Sequence, residues 1–235
     1  MKMKKNVFVL VLICCFSVVA RAEVAKYCMT YTDFVNGNWQ SVDSLTEGRT
    51  KQLLQMKEAE HSVSFKTGDK ECDNLLKKQA FAVEYGNQLY VNCRNLRYKD
   101  VMLDISGYAP ALRYDDNKLC VMVYKVNNTA FLVEIAADVT SIFTPDEVSI
   151  GLQVGSTALW ASRDYLSRTV CYLIDSEANE KGKTAVKYIN DEFMEDLLAD
   201  DASLLERYKA VTKKRSRQSS ANVLPVLMEK GIVKP

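Results

Sequence analysis

The chain has 235 residues, of which 48% are hydrophobic and 26% charged, and its formal net charge is +1 at pH 7. A chain of this length can build one large or two small domains, each with a substantial core. The near-neutral charge excludes nucleic acid as the main partner, because binding to phosphates needs a clear excess of basic residues.

The first 22 residues have the layout of a secretory signal peptide. Early lysines precede the apolar run Val7–Val19, and small residues stand at positions −3 and −1 of a cleavage point between Ala22 and Glu23. The run is shorter than the roughly 18 to 20 residues of a membrane-spanning helix. We therefore expect an exported mature chain with 27 basic and 30 acidic residues, a net charge of −3 and no transmembrane span. The alternatives are a retained anchor and lipid attachment at Cys14.

Removal of the signal peptide would leave an odd number of cysteines. An oxidising compartment permits disulfides, but an odd number leaves a free thiol or an intermolecular bond. The wide spacing excludes a Cys-x-x-Cys zinc or redox motif and is equally compatible with buried, reduced side chains. The possible disulfide cysteines are Cys28, Cys72, Cys93, Cys120 and Cys171.

The first part of the mature chain is predicted to be mixed. Thr32–Trp39 is typical of one helical turn that ends at Gly37. Thr46–Glu60 is polar and predicts a weak helix or a loop, whereas His61–Lys66 alternates like a half-buried strand.

The middle of the chain predicts an antiparallel meander. Short apolar runs flank tight turns at Gly86-Asn87 and Asp115–Asn117, which favour hairpins because their residues tolerate positive φ. The absence of long helices between these runs argues against a parallel sheet. The predicted strands are Gln79–Tyr85, Gln88–Cys93, Tyr108–Tyr114, Lys118–Val126, Phe131–Ile135 and Arg168–Asp175.

Helices are predicted in the second half of the chain. Thr144, followed by a proline and two acids, predicts a mid-chain helix to about Tyr165. Asn190 and Asp201 are typical N-caps for two C-terminal helices, and a third apolar cluster ends at Gly231. The fold class is therefore predicted as α+β, with an antiparallel sheet or partial barrel of short hairpins. We divide the chain into a signal peptide (1–22), a β-rich domain (23–188) and a C-terminal helical appendage (189–235).

Catalytic and metal-binding motifs are weak in this chain. His61 is the single histidine, which excludes a multi-histidine metal site. The acids of Asp69–Asn74 alternate as in a calcium loop, but the sixth position is not glycine, and an ordinary acidic turn is favoured. The basic run Lys213–Arg217 follows a stretch dense in acids and indicates a charged linker. No catalytic residue, metal ligand or cofactor is predicted.

Aromatic residues supply the positive hint of function. Tyrosines on a sheet can form a platform for sugars or another ligand, although strand-favouring aromatic residues also pack sheets. The candidate ligand-binding residues are Trp39, Tyr85, Tyr90, Tyr108, Tyr114 and Tyr124.

Two stretches carry a resemblance to a family. Met29–Trp39 (MTYTDFVNGNW) and Gly86–Cys93 (GNQLYVNC) resemble an uncharacterised family of exported proteins from Gram-negative bacteria, a domain of unknown function. The C-terminal stretch from Asp191 to Tyr208 is similar to helices with which members end. The resemblance implies export and a bacterial source, and it transfers no catalytic residue.

The sequence thus predicts a non-enzymatic ligand-binding or interaction module in the periplasm or at the cell surface. A glycan or another envelope protein is the expected partner. The alternatives are a hydrolase that uses acidic residues and an outer-membrane-associated protein that contacts the membrane through residues 148–161.

Overall fold

The computed structural model describes residues 25–51, 60–103, 107–115, 117–124 and 163–234. Their combination of a large antiparallel sheet with several helices confirms the predicted α+β class. The strands are β1 (Ala25–Cys28), β2 (Gln40–Val42), β3 (Thr46–Lys51), β4 (Glu60–Lys66), β5 (Ala82–Tyr85), β6 (Gln88–Asn92), β7 (Leu96–Tyr98), β8 (Val101–Met102), β9 (Tyr108–Tyr114), β10 (Lys118–Tyr124), β11 (Thr169–Ile174), β12 (Thr184–Ala185), β13 (Lys187–Tyr188) and β14 (Val233–Lys234). The helices are α1 (Tyr31–Asn36), α2 (Lys70–Lys78), α3 (Arg163–Arg168), α4 (Asp191–Leu197), α5 (Ala202–Lys209), α6 (Lys214–Arg217) and α7 (Ser220–Glu229).

The main sheet has 11 strands, and its central path runs β13-β11-β10-β9-β6-β5-β1-β2 without closing into a barrel. β4 and β14 add to β9, and β3 adds to β4. The pairs in this sheet are antiparallel, as predicted. A second sheet has three strands in the order β12-β7-β8, and here β12 runs parallel to β7.

Both predicted hairpins are present. β5 and β6 pair around Gly86 and Asn87, whose φ angles are 56° and 62°. Two successive left-handed residues match the twist of the flanking strands, which explains why this dipeptide was a strong turn signal. β9 and β10 form the second hairpin, and Asp115 in its turn also has a positive φ of 56°.

Apolar side chains cover both faces of the sheet. On one face, Ala111, Val121 and Tyr172 from neighbouring strands pack against Phe34 of α1 and Leu96 of β7. The opposite face is covered at its β9–β11 end by α4, α5 and α7, and at its β1–β6 end by α2 and β4. Alternate side chains of a strand point to opposite faces of the sheet. Because both faces are covered, the central strands are nearly continuously apolar.

Capping explains part of the family-like stretch Met29–Trp39. Thr30 and Asp33 form a capping box at the start of α1, with the Thr30 Oγ1 atom accepting from the Asp33 amide at 2.9 Å. Gly37 ends the helix in the left-handed conformation, with φ 72°. The predicted helical turn is thereby confirmed.

Two segments differ from the predictions. Thr46–Lys51 forms β3, so the prediction of a weak helix or loop over Thr46–Glu60 is wrong at its start; β3 is polar, and pairing with β4 decides its conformation. Asp69–Asn74 begins a helix and is not a simple turn, because the Asp69 carboxylate caps α2 through the amides of Glu71 and Cys72 at 2.9 and 2.8 Å.

The C-terminal helices begin at the predicted caps. The side chains of Asn190 and Asp201 accept hydrogen bonds from amides three residues later, at 2.9 and 3.0 Å. After α7 the chain returns to the main sheet, where Val233 pairs with Tyr114. The domain boundary at residues 188 and 189 stays a prediction.

Several predictions fall outside the described residues. These are the Ala22–Glu23 cleavage point, the strand Phe131–Ile135, the membrane-contacting segment 148–161 and the mid-chain helix before α3. Among the residues that are described, no helix is long and apolar enough to cross a membrane.

Candidate functional site

Three of the candidate tyrosines meet around Phe65. The rings of Tyr85, Tyr90 and Tyr108 lie 6.0, 5.2 and 5.1 Å from the Phe65 ring. Tyr90 and Tyr108 are only 5% and 4% exposed, and the Tyr108 hydroxyl donates to the carbonyl of Leu76 at 2.6 Å. These rings therefore pack the interior between β4, α2 and the main sheet.

The other candidates lie elsewhere. Tyr114 is buried in the cluster beneath the C-terminal helices, and burial raises its pKa to about 12. Trp39 is half-buried beside Phe34, with the Lys26 ammonium 5.1 Å from its ring. Tyr124 ends β10, and its side chain lies outside the described residues. The five side chains that are described do not form one platform, and the ligand-binding role of all six candidates stays a prediction.

The five cysteines among the described residues are free thiols in this structure. Burial raises the pKa of Cys28 to about 12, which keeps it protonated and poorly nucleophilic at neutral pH. Cys120 and Cys171 lie on adjacent strands, and the hydrogen bond between their thiols together with burial raises the pKa of Cys120. They are the pair that the fold brings together for the possible disulfide.

A groove of about 570 Å³ lies beside the small sheet. One wall is the β7–β8 hairpin, and the other is the loop that leads into β12. Four cations, two carboxylates and one amide face it, and we call it the basic groove. Its lining residues are Arg97, Lys99, Asp100, Asn179, Glu180, Lys181, Lys183, Ala185 and Val186.

Hydrogen bonds fix the loop wall of the basic groove. The side-chain oxygen of Asn179 accepts from the amides of Lys181 and Lys183, both at 3.0 Å. The Lys183 ammonium donates to the Asn95 side chain at 3.1 Å. Parallel pairing of β12 with β7 then joins the two walls, so that both lysines are held on a structured loop.

The hairpin wall is held equally firmly. Arg97 donates through Nη1 to the carbonyls of Arg94 and Leu96 at 3.0 and 2.9 Å. The ring of Tyr98 packs against Tyr172 and Tyr188 of the main sheet, at 5.6 and 5.9 Å. The cation of Arg97 is thus positioned in advance, which lowers the entropic cost of binding a ligand.

The turn between β7 and β8 is strained. Lys99 and Asp100 have φ angles of 49° and 65°, in the left-handed region that costs most residues about 1–2 kcal/mol. Aspartate tolerates this region better than lysine does. Strained residues concentrate at functional sites, and here the strained turn presents an ammonium and a carboxylate to the groove.

The sequence reasoning missed this site. No site was assigned to Glu177–Lys183, since lysines in a loop usually indicate only a solvated surface. The available signal was a repeated spacing, Arg97-x-Lys99 and Lys181-x-Lys183, which concentrates four cations in two short segments.

The basic run Lys213–Arg217 serves a different purpose. Arg217 donates to both carboxylate oxygens of Asp191, at 2.6 and 2.9 Å, and to the carbonyls of Val211 and Thr212 at 2.9 and 3.3 Å. This contact clamps α6 to α4. The run lies between α5 and α7, as predicted for a linker, but Lys214–Arg217 forms a short helix of its own.

Comparison with known proteins supplies a family and no activity. No curated protein and no solved structure matches the chain. A family of unknown function, DUF6563, matches residues 26–231. The match covers both stretches that carry the predicted resemblance and confirms it for an uncharacterised family. The chain therefore belongs to the family of unknown function DUF6563.

Proposed function

We propose that this protein is an exported, non-enzymatic binding protein that holds an anionic ligand in the basic groove. The observation that carries the proposal is the placement of four cations, two on each wall, by hydrogen bonds and strand pairing. The expected location is the periplasm or the cell surface of a Gram-negative bacterium, which rests on the signal-peptide pattern of residues 1–22.

The charge balance supports a local role for these cations. The mature chain is expected to carry a net charge of −3, whereas the groove carries a formal +2 from four cations and two carboxylates. A concave positive site on an otherwise negative protein attracts anions to one place, because field lines are focused in clefts. Binding of polyanions to the surface outside the groove is correspondingly disfavoured.

Removal of the loop cations tests the proposal. The probe is dextran sulfate, titrated calorimetrically against the purified protein at low salt. The double variant Lys181→Ala, Lys183→Ala is expected to weaken binding by about tenfold or more, as the loss of charged contacts worth at least 1.4 kcal/mol requires.

A second pair of lysines provides the matched control. Lys77 and Lys78 are exposed at the end of α2, which packs on the opposite face of the sheet from the groove. The variant Lys77→Ala, Lys78→Ala changes the net charge equally and should bind dextran sulfate like the original protein. Equal losses in both double variants, or no loss in either, would show that the groove is not the site.

The strained turn yields a separate prediction. Lys99→Gly should raise the free energy of unfolding by about 0.5–1 kcal/mol, because glycine adopts positive φ freely, while the affinity for dextran sulfate falls several-fold. Chemical denaturation and the same titration measure the two effects. Asn87→Gly, which alters a left-handed position in another turn, should leave the affinity unchanged. A stability gain without a loss of affinity would remove Lys99 from the site.

A hydrolase is the second candidate, and one observation favours it. Asp100 and Glu180 bring two carboxylates to the same groove, and glycoside hydrolysis uses such a pair. Cleavage of an acidic oligosaccharide, followed by mass spectrometry and abolished by Glu180→Gln, would establish this activity. If the oligosaccharide stays intact after prolonged incubation, the hydrolase is excluded and the binding function remains.

A further inference from the structure

The basic groove has mixed chemistry. Asp100 and Glu180 stand among its four cations, and Asn179 adds a side-chain amide. A fully deprotonated inorganic anion such as sulfate has acceptor atoms only, so the two carboxylates would repel it without offering any hydrogen bond. A ligand that suits the whole lining must carry negative groups for the cations and hydrogen-bond donors for the carboxylates.

The hydrogen-bond donors of Arg97 indicate which kind of anionic group the ligand carries. Its Nη1 atom is used by the carbonyls of Arg94 and Leu96. Guanidinium has five N–H donors, and the Nε and Nη2 edge keeps the paired arrangement that matches a carboxylate. The lysines contribute point charges on the facing wall.

The volume of the groove restricts the class of ligand further. The cavity of about 570 Å³ falls within the range of roughly 300–1,000 Å³ that suits organic ligands of several rings. Cations on two facing walls require acidic groups that are separated along the ligand. Sugar hydroxyls act as donors and acceptors together, and they can therefore pair with Asp100 and Glu180.

On the basis of the proposed function, we propose that the ligand is an oligosaccharide of uronic acids. Its carboxylates pair with Arg97, Lys181 and Lys183, and its hydroxyls donate to Asp100 and Glu180. The proposed function requires only that the ligand is an anion, and the uronic acids are its chemical class.

Calorimetric titration with defined probes tests the ligand class. The probes are tetrasaccharides of galacturonate, of alginate and of hyaluronan, each beside its neutral methyl ester, together with inorganic sulfate at equal ionic strength. At least one tetrasaccharide should bind about tenfold or more tightly than its ester, because each ester loses the charged contacts to the loop lysines. Lys181→Ala, Lys183→Ala should remove that difference.

The carboxylates of the groove give a second, opposite readout. Asp100→Ala should weaken binding of the tetrasaccharide several-fold through the lost hydroxyl contact and strengthen binding of sulfate through relief of repulsion. Glu192→Ala, which removes an exposed acid from α4, should change neither affinity by a comparable factor. A gain for both ligands with Asp100→Ala would contradict a hydroxyl-bearing ligand.

The outcomes separate this proposal from the proposed function. If no tetrasaccharide binds more tightly than its ester, while dextran sulfate still depends on Lys181 and Lys183, the ligand class is wrong and the binding function stands. If no anion depends on those lysines, both are overturned.

Discussion

Asn92→Ala is expected to lower the free energy of unfolding by about 2–4 kcal/mol, since the substitution removes a buried side-chain donor that the carbonyls of Leu76, Lys77 and Ala80 share. Asn92 is 6% exposed, and its amide nitrogen lies 3.3, 3.3 and 3.1 Å from the carbonyl oxygens of Leu76, Lys77 and Ala80. Its side-chain oxygen accepts from the Arg94 amide at 3.2 Å. One side chain therefore serves both the end of α2 and the start of the next turn.

Denaturant unfolding of Asn92→Ala measures this effect. Asn74→Ala is the matched control, because Asn74 is exposed on α2 and alanine favours a helix; its free energy of unfolding should stay equal or rise slightly. Asn92→Asp should be at least as harmful as alanine, since a carboxylate directed at carbonyls repels them. A loss below about 0.5 kcal/mol for Asn92→Ala, the usual range for surface substitutions, would contradict this account.

Asp191→Asn is expected to remove a contribution to the free energy of unfolding that is present at neutral pH and lost in acid. Burial by itself would raise the pKa of Asp191, but hydrogen bonds from Arg217 and Tyr208 outweigh it, and the pKa lies below its ordinary value. A carboxylate with a lowered pKa in the folded state stabilises the fold above its unfolded pKa of about 3.9. That stabilisation is lost as the pH falls through the folded pKa.

Asp191→Asn should therefore cost about 1–3 kcal/mol at neutral pH, as the loss of a charged hydrogen bond does, and progressively less as the pH falls from about 4 through the folded pKa. Unfolding curves at several pH values measure the difference. Asp196→Asn, an exposed position on the same helix, should follow the original protein at every pH. A cost that stays constant from pH 7 to pH 3 would show that the contact with Arg217 acts by shape and not by charge.

Local signals account for the parts of the fold that the sequence predicted. The Gly86-Asn87 turn and the caps Asn190 and Asp201 encode their conformations in two to four neighbouring residues. α2 escaped prediction because it is short and mostly charged, with Cys72, Leu75 and Leu76 as its apolar face, while its C-terminal carbonyls are bound by Asn92, which lies outside the helix.

The site was harder to predict than the fold for a related reason. Arg97 and Lys183 are 86 positions apart in sequence, and the parallel pairing of β12 with β7 that joins them is too short to leave a pattern. The tyrosine prediction depended on which face each strand turns inward. Strand pairing determines that face, and in this sheet Tyr90 and Tyr108 point into the core.

The return of the chain at β14 bears on the order of folding. Val233 and Lys234 pair with Tyr114 and Arg113 in β9, the strand that also pairs with β4, β6 and β10. The hub of the sheet therefore receives its last partner only after residue 234 has been synthesised, and such distant pairings form slowly. Because its central strand waits for a C-terminal partner, the sheet is completed last at its centre.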